Sequence, residues 1–398
     1  MFGSPLRLDL FLPCTSKTPL REMLNVWPPL PIELYFRQPY NVNNIIATLE
    51  HRDRVRRISI DNPTSSQLKR LAPMMQEPFP ALMWLELWTY ETAPALPDTF
   101  LGGSAPRLQT LDLEGIPFPG LPRLLLSAIN LSHLTVSGIP DTGYISPEEM
   151  VTGLSALIRL RFLTIRFESA PSRPDRHPPL LTRVILPALE VLSFQGVSEY
   201  LGDLVARIDA PRLCNLDISF FNQIIFDVQQ LLHFIGRAGI LTSSSCARVL
   251  ISDDYYVEII FDQEDSLNRL GLKIYCRGVD RQVRSAARIC NQFSFPLSIV
   301  EDLTILRYWN SDIKDAQWLE LFRPFTAVRT LRTHHVLLPL IVPALRELTG
   351  ERATEVLPAL DNLHLDFLPL GSAQQAIEAF IAARQNSDHP VAVHYWGQ

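Results

Sequence analysis

A short pattern of apolar positions recurs along the chain in the form Pro-x-Leu-x-x-Leu-x-Leu. Clear copies begin at Pro80, Pro106, Pro187, Pro211 and Pro358, with substitutions such as Phe194 or Ile218 at the last position. Weaker copies without the proline are centred on the following residues: Ile58, Leu134, Leu163, Leu270 and Leu303. Most neighbouring copies lie 23 to 29 residues apart when their central apolar residues are compared.

This spacing predicts one strand per copy, joined to the next strand by a helix or a looser return segment. The two apolar residues of each Leu-x-Leu would lie on one face of the strand, where a return segment covers them. A single repeat cannot bury that face alone, so neighbouring repeats must stack. We therefore predict an α/β fold: a leucine-rich-repeat solenoid with a curved parallel sheet inside and helices outside.

Several return segments carry helical signals. Ser146, Pro147 and Glu149 supply an N-cap, a proline in the first turn and an acidic first-turn residue. Ser198 precedes the apolar face of Leu201, Leu204 and Val205. Further helices are predicted at 44–51, 66–76, 227–237, 281–291, 315–322 and 374–384, and additional strands at 6–10, 32–36 and 391–395.

Two segments interrupt the repeat. Residues 169–179 form a proline-rich basic insertion. Residues 247–251 and 256–261 are rich in β-branched and aromatic residues around a polar turn, which predicts an inserted β-hairpin near 247–261. We expect one leucine-rich-repeat solenoid over 1–398, with the alternative of two sub-stacks, 1–240 and 266–398, joined by the insertion 241–265.

Composition narrows the cellular context. The chain has 398 residues and a net charge of −6, so no global field attracts nucleic acid or anionic lipid. Its five cysteines are dispersed, which argues against a disulfide framework and favours a reducing compartment. The longest apolar stretch, 336–345, is too short for a membrane span. We expect an intracellular protein, cytoplasmic and/or nuclear, with no nucleic acid and no membrane as partner.

The sequence holds no motif for nucleotide binding, metalloprotease chemistry or a nucleophilic serine. His334 and His335 are adjacent, and neighbours on a strand point to opposite faces, so they do not predict a metal site. We therefore expect no enzymatic activity, no catalytic residues, no cofactor and no metal.

Function should lie on the concave face, where the residues between the buried leucines point outward. Two tryptophans on one strand are candidate anchors for a protein partner, because aromatic residues dominate binding energy at interfaces. The alternative is that a loop or the N-terminal segment covers them. The predicted partner-binding residues are Trp84, Glu86, Trp88, Asp112, Glu114, His133, Phe162, Arg166, Asn215 and Asp217.

Stretches along nearly the whole chain carry a family resemblance. They lie at 2–10, 14–19, 27–31, 196–201, 208–213, 317–327, 383–385 and 389–396. On these stretches the chain resembles the repeat region of fungal F-box/leucine-rich-repeat proteins of the mushroom type. The resemblance implies the substrate-recognition region of an F-box subunit of a cullin-RING (SCF-type) ubiquitin ligase, in which the repeats hold a protein substrate.

The F-box itself, a small helical module that docks a Skp-type adaptor, is not visible in the sequence. Residues 30–34 resemble its opening superficially, but a strand fits them better. The resemblance therefore implies adaptor binding only if an F-box lies upstream. The alternative function is a leucine-rich-repeat binding module with no ubiquitin-ligase link.

Overall fold

The structure is a computed structural model of the chain, and it divides into two compact units, Met1–Leu213 and Cys214–Gln398. The described residues are 10–13, 20–26, 29–36, 41–170, 183–221, 228–240, 245–252, 255–262, 268–277, 279–293, 297–308, 318–334, 337–338, 341, 355–367, 371–386 and 388–395.

The first unit alternates short strands with helices and looser return segments. Its strands are β1 (Leu10–Pro13), β2 (Ile32–Phe36), β3 (Val55–Asp61), β4 (Trp84–Trp88), β5 (Thr110–Glu114), β6 (His133–Ile139), β7 (Phe162–Phe167), β8 (Val184–Ile185), β9 (Val191–Gly196) and β10 (Ile208–Asp209). Its helices are α1 (Leu20–Val26), α2 (Val42–Leu49), α3 (Ser65–Leu71), α4 (Leu121–Ser127), α5 (Pro147–Leu154) and α6 (Ser198–Ala206).

The main sheet of this unit is parallel and follows the order β1-β2-β3-β4-β5-β6-β7-β9. The central residues of the repeat phrase stand opposite one another across the sheet, as Leu85 does with Leu111 and Leu111 with Leu134. All three are fully buried. The register thus places each copy of the phrase at the same height, which is the leucine-rich-repeat arrangement that the spacing predicts.

Helix starts follow their local sequence signals. At α5 the Ser146 hydroxyl accepts a hydrogen bond from the Glu149 backbone N–H, and the Glu149 carboxylate accepts one from the Ser146 N–H. At α3 Thr64 and Gln67 form the same reciprocal pair. Such capping boxes satisfy two N–H groups that a helix start leaves without partners. They fix where each return segment begins.

A glycine closes the end of β5. Gly115 has φ +69°, and a Cβ there would lie 2.2 Å from the carbonyl oxygen of Thr89. Its backbone N–H donates to the Ser137 carbonyl on the next repeat, and Thr89 N–H donates to the Glu114 carbonyl. Only glycine allows the chain to turn this close to the neighbouring strand.

The second unit has a different strand order. Its strands are β11 (Asn215–Phe220), β12 (Cys246–Ser252), β13 (Tyr256–Asp262), β14 (Arg269–Tyr275), β15 (Asp302–Tyr308), β16 (Thr330–Thr333), β17 (Asn362–Leu365) and β18 (Ala392–Tyr395). Its helices are α7 (Gln229–Ala238), α8 (Val279–Gln292), α9 (Trp318–Phe322) and α10 (Ser372–Gln385). Within this unit the order is β11-β14-β13-β12-β15-β16-β17-β18.

The predicted hairpin is confirmed as β12 and β13, which pair antiparallel with Val249 opposite Ile259. It is a full part of the sheet: β13 also pairs antiparallel with β14, and β12 pairs parallel with β15. Both strands therefore lie inside the second unit. The division between the units falls between Leu213 and Cys214, earlier along the chain than the 241–265 insertion that the sequence suggested as a joint.

The other predicted elements agree with the structure where it describes them. The helices predicted from sequence all fall on α2, α3, α5, α6, α7, α8, α9 or α10, whereas α1 and α4 were not predicted. The strand predicted at 32–36 is confirmed as β2. The first strand is Leu10–Pro13, while 6–9 and all but the first two residues of the insertion 169–179 lie outside the described residues.

Candidate functional site

The candidate site is the face of the first unit's sheet formed by residues that alternate with the buried leucines. We call it the open face of the first unit. Along β4 the pattern is regular: Trp84, Glu86 and Trp88 are half-buried, and the two leucines between them are buried. The parallel register extends this pattern to the neighbouring strands.

Three rows of side chains run across the strands on this face. The register defines them as Glu33–Arg57–Trp84–Thr110–His133–Phe162–Val191, then Tyr35–Ser59–Glu86–Asp112–Thr135–Thr164–Ser193, and last Asp61–Trp88–Glu114–Ser137 with Arg166–Gln195 further along. Eight of the ten predicted partner-binding residues therefore share one face of one sheet.

One tryptophan of this face already holds a cation. The guanidinium carbon of Arg57 lies 3.9 Å from the ring centroid of Trp84 and 4.8 Å from that of Tyr35. A guanidinium between two aromatic faces is attracted by both ring quadrupoles. The indole Nε1 of Trp84 is buried and has no hydrogen-bond partner among the described residues, so Trp84 is mainly a packing and stacking residue.

The next aromatic contact lies two strands further on. His133 and Phe162 stack with ring centroids 4.4 Å apart, and His133 Nδ1 lies 2.8 Å from the Ser132 hydroxyl. Partial burial, together with the nearby charge of Arg161, lowers the pKa of His133. Arg166 donates a hydrogen bond of 3.0 Å to the Ser193 hydroxyl. His133 and Phe162 thus present a stacked aromatic pair on the open face.

Carboxylates occupy the middle of the face. Glu86 accepts a hydrogen bond of 3.1 Å from the Ser59 hydroxyl, and Glu86, Asp112 and Glu114 lie on two neighbouring strands. Burial, reinforced by the charges of Glu86 and Glu114, raises the pKa of Asp112 from 3.8 to about 6. Within the described ranges none of the three carboxylates forms an ion pair. This part of the face is acidic without compensation.

The second tryptophan has acidic neighbours. Trp88 stands between Asp61 on β3 and Glu114 on β5. Tyr90 packs edge-on against Trp88 with ring centroids 5.1 Å apart, and Tyr90 is 80% exposed. Trp88 itself is half-buried by its strand neighbours, so an aromatic pair and two carboxylates meet at one end of the open face.

The remaining two predicted residues, Asn215 and Asp217, lie on β11 in the second unit. Asp217 stands opposite Gly271 on β14, where a Cβ would lie 3.0 Å from the Asp217 carboxylate oxygen. The glycine leaves room for that carboxylate. Within the second unit, we call the corresponding face of the sheet the open face of the second unit.

Charges on the open face of the second unit are largely paired. Glu258 on β13 is buried and lies 3.6 Å from an Arg269 nitrogen and 3.5 Å from the Lys273 ammonium. Arg332 and Asp302 pair at 3.2 Å. Asp262 pairs with Arg248 on the neighbouring strand. At the end of this face, His364 and His394 stack 4.7 Å apart.

Within the part of the chain that the structure describes, no three His, Cys, Asp or Glu side chains are grouped closely enough to hold a metal ion. In the same residues no helix is long and apolar enough to cross a membrane. The open faces carry stacked aromatics, carboxylates and a few cations.

Sequence reasoning missed four residues that shape the site: Tyr35, Arg57, Asp61 and Tyr90. The first three lie on strands whose repeat phrase is weak, and a register irregularity between Ile32 and Glu33 brings Arg57 opposite Glu33. The alternation of apolar and polar residues from Ile58 to Ile60 was the available signal for β3.

The repeat phrase, the parallel register of the first unit and the capped return helices define a leucine-rich-repeat fold. No protein-family model and no curated protein matches the chain. Among solved structures, the chain is similar to the leucine-rich-repeat-containing protein LegL7 from Legionella pneumophila, with 12% identity, coverage of 98% of this chain and 91% of that chain, and a TM-score of 0.29. We base the fold class on the strand register and the phrase.

Proposed function

We propose that this protein is an interaction scaffold that binds a protein partner on the open face of the first unit. The observation that carries the proposal is the half-buried row Trp84–Glu86–Trp88 beside the carboxylates Asp112 and Glu114, which form no ion pair among the described residues. Aromatic anchors surrounded by polar groups are the composition of binding hot spots. Carboxylates that repel one another in the free protein are stabilised when a partner of opposite charge binds.

The finer form of the proposal is a substrate-recognition region of an F-box subunit of an SCF-type ubiquitin ligase. Its support is the resemblance of the sequence to fungal F-box/leucine-rich-repeat proteins. In this role the chain performs no chemistry itself and takes two partners: a protein substrate on the open face and a Skp-type adaptor on an F-box. The second candidate is a binding module without a ligase link, supported by the same row Trp84–Glu86–Trp88 and its carboxylate neighbours.

The binding proposal is tested by affinity capture from the cells that express the protein, followed by mass spectrometry. The variant Trp84→Ala/Trp88→Ala should lose the partner that the parent protein captures. The matched control is Tyr255→Ala, because Tyr255 is another exposed aromatic, in the second unit. Thermal unfolding of each variant shows whether it is folded. Capture of the same partner by all three proteins overturns the assignment of the face.

The ligase role needs a separate experiment. The complete coding sequence is expressed with a C-terminal tag, and the purified material is examined for a Skp-type adaptor and a cullin. Stoichiometric recovery of both supports the ligase role. Recovery of the open-face partner without an adaptor supports the binding module instead.

A further inference from the structure

The two tryptophans of β4 have similar surroundings with one difference. Trp84 has the guanidinium of Arg57 stacked on it, with Tyr35 on the other side of that guanidinium. Trp88 has a second aromatic ring too, Tyr90, at 5.1 Å. In place of an arginine, its neighbours on the adjacent strands are the carboxylates of Asp61 and Glu114.

The spacing around Trp88 suits a cationic side chain. Neighbouring strands lie about 4.8 Å apart, so the Cα atoms of Asp61 and Glu114 stand roughly 10 Å apart on either side of Trp88. A guanidinium or ammonium group on the indole would reach both carboxylates and the tyrosine ring. Cation–π attraction and two charge-assisted contacts would then act on one group.

Charge complementarity extends beyond these four residues. Glu86 and Asp112 continue the acidic surface along β4 and β5, and neither forms an ion pair among the residues described. Arg57, the nearest cation on β3, is already stacked on Trp84. A neutral or acidic segment would leave this surface uncompensated, and a nucleic acid would be repelled by it.

We infer that the partner of the open face is a protein with a basic segment, and that one arginine or lysine of that segment binds on Trp88 between Asp61 and Glu114. This inference rests on the proposed function and adds the chemistry of its partner. The remaining basic residues of the segment would face Glu86 and Asp112.

The test uses fluorescence polarisation with labelled ten-residue peptides that alternate arginine and serine. A matched peptide carries neutral citrulline in place of each arginine. We expect the arginine peptide to bind the whole chain at least tenfold more tightly than the citrulline peptide does. Its affinity should fall as the salt concentration rises. Equal binding of the two peptides overturns the inference.

The site is assigned with isosteric variants. Asp61→Asn/Glu114→Gln removes two charges beside Trp88 and should lower the affinity for the arginine peptide at least fivefold. Trp88→Ala should lower it by a similar factor. The matched control is Glu77→Gln/Asp98→Asn, which removes two exposed charges of the same unit that pair with Arg52 and Arg123. The control should change the affinity less than twofold.

Three outcomes distinguish a failure of this inference from a failure of the proposed function. If the control variant lowers the affinity for the arginine peptide as much as the site variant does, the peptide is attracted by the net charge of the protein and the inference fails. If the cellular partner depends on Trp84 and Trp88 but not on Asp61 and Glu114, the scaffold function stands and the cationic segment is wrong. If binding of the cellular partner depends neither on the two tryptophans nor on the two carboxylates, the proposed function fails.

Discussion

The open faces of the two units treat charge in opposite ways. In the first unit Glu86, Asp112 and Glu114 have no ion-pair partner among the described residues. In the second unit Glu258 and Asp302 each lie within 4 Å of a cationic side chain. The difference separates a surface whose charges are largely paired from one that keeps a group of carboxylates without ion pairs.

The contrast has an energetic meaning. Exposed ion pairs contribute little to stability, but a carboxylate that loses solvent must gain a partner or rise in pKa. Glu258 is buried and gains two cations. Asp112 loses solvent, gains none, and its pKa rises to about 6. The first unit therefore keeps an unfavourable arrangement that a ligand can relieve, which is typical of binding surfaces.

The largest expected effect concerns the buried leucines of the repeat phrase, which both units share. Leu111 in β5 and Leu303 in β15 are both fully buried at the same position of the repeat phrase. Leu111→Ala and Leu303→Ala should each lower the free energy of unfolding by about 3 kcal/mol, since each leaves a cavity in a packed core. Urea denaturation followed by circular dichroism measures both. A loss in only one unit would mean that the difference between the units lies in their cores and not in their faces.

The next effect concerns the paired charges of the second unit. Glu258→Gln leaves the cations of Arg269 and Lys273 without their shared carboxylate, and it should destabilise the protein by about 1 to 2 kcal/mol. The value is moderated because both cations are partly exposed.

Glu86→Gln is the matched control in the first unit, where the only described contact of the carboxylate is the hydrogen bond from Ser59. Its amide oxygen can still accept that bond, so the change should stay within about 0.5 kcal/mol. Equal losses for Glu258→Gln and Glu86→Gln would remove the contrast between the faces.

The core was predictable because burial is dictated by the phrase itself. A leucine at a fixed position of every repeat must be buried on folding. The structure has strands at the predicted positions around Leu85, Leu111 and Leu363, and all three leucines are buried. The capping signals at Ser146 similarly fixed the start of α5. These are local effects that a single stretch of sequence contains.

The strand order of the second unit was not predictable in the same way. The hairpin of β12 and β13 could be read from its alternation, but nothing local shows that β12 pairs with β15 and β13 with β14. The same holds for the cation on Trp84, because Arg57 is brought beside it by the pairing of β3 with β4. Both features depend on long-range pairing.

A smaller effect, of opposite sign, is expected at Asp112. Its pKa is raised from 3.8 to about 6, so the folded state binds the proton more tightly than the unfolded state. That contribution to stability is complete below pH 3.8 and is lost as the pH rises through about 6. Asp112→Asn should therefore stabilise the protein at pH 7.5 by about 0.5 to 1 kcal/mol, a value reduced for solvent screening.

The measurement is urea denaturation of the parent protein and of Asp112→Asn between pH 4 and 7.5. The stabilising difference should grow with pH through this range. A difference that is constant with pH would mean that the pKa of Asp112 is the same in the folded and unfolded protein, and a loss of stability at pH 7.5 would mean that Asp112 has a favourable partner in the folded protein.

The smallest effect separates the two stacked histidines. His133 stacks on neutral Phe162, whereas His364 stacks on His394, which can carry charge. Burial lowers the pKa of both, and for His364 the charges of Arg332 and His394 lower it further. His394→Gln should raise the pKa of His364 toward its ordinary value, because a neighbouring positive charge is removed. Histidine-detected NMR titration measures this shift, with the His133 signal of the same variant as the control. If the pKa of His364 is unchanged in that variant, burial and Arg332 account for its shift, and the histidine pair is a stacking contact without electrostatic coupling.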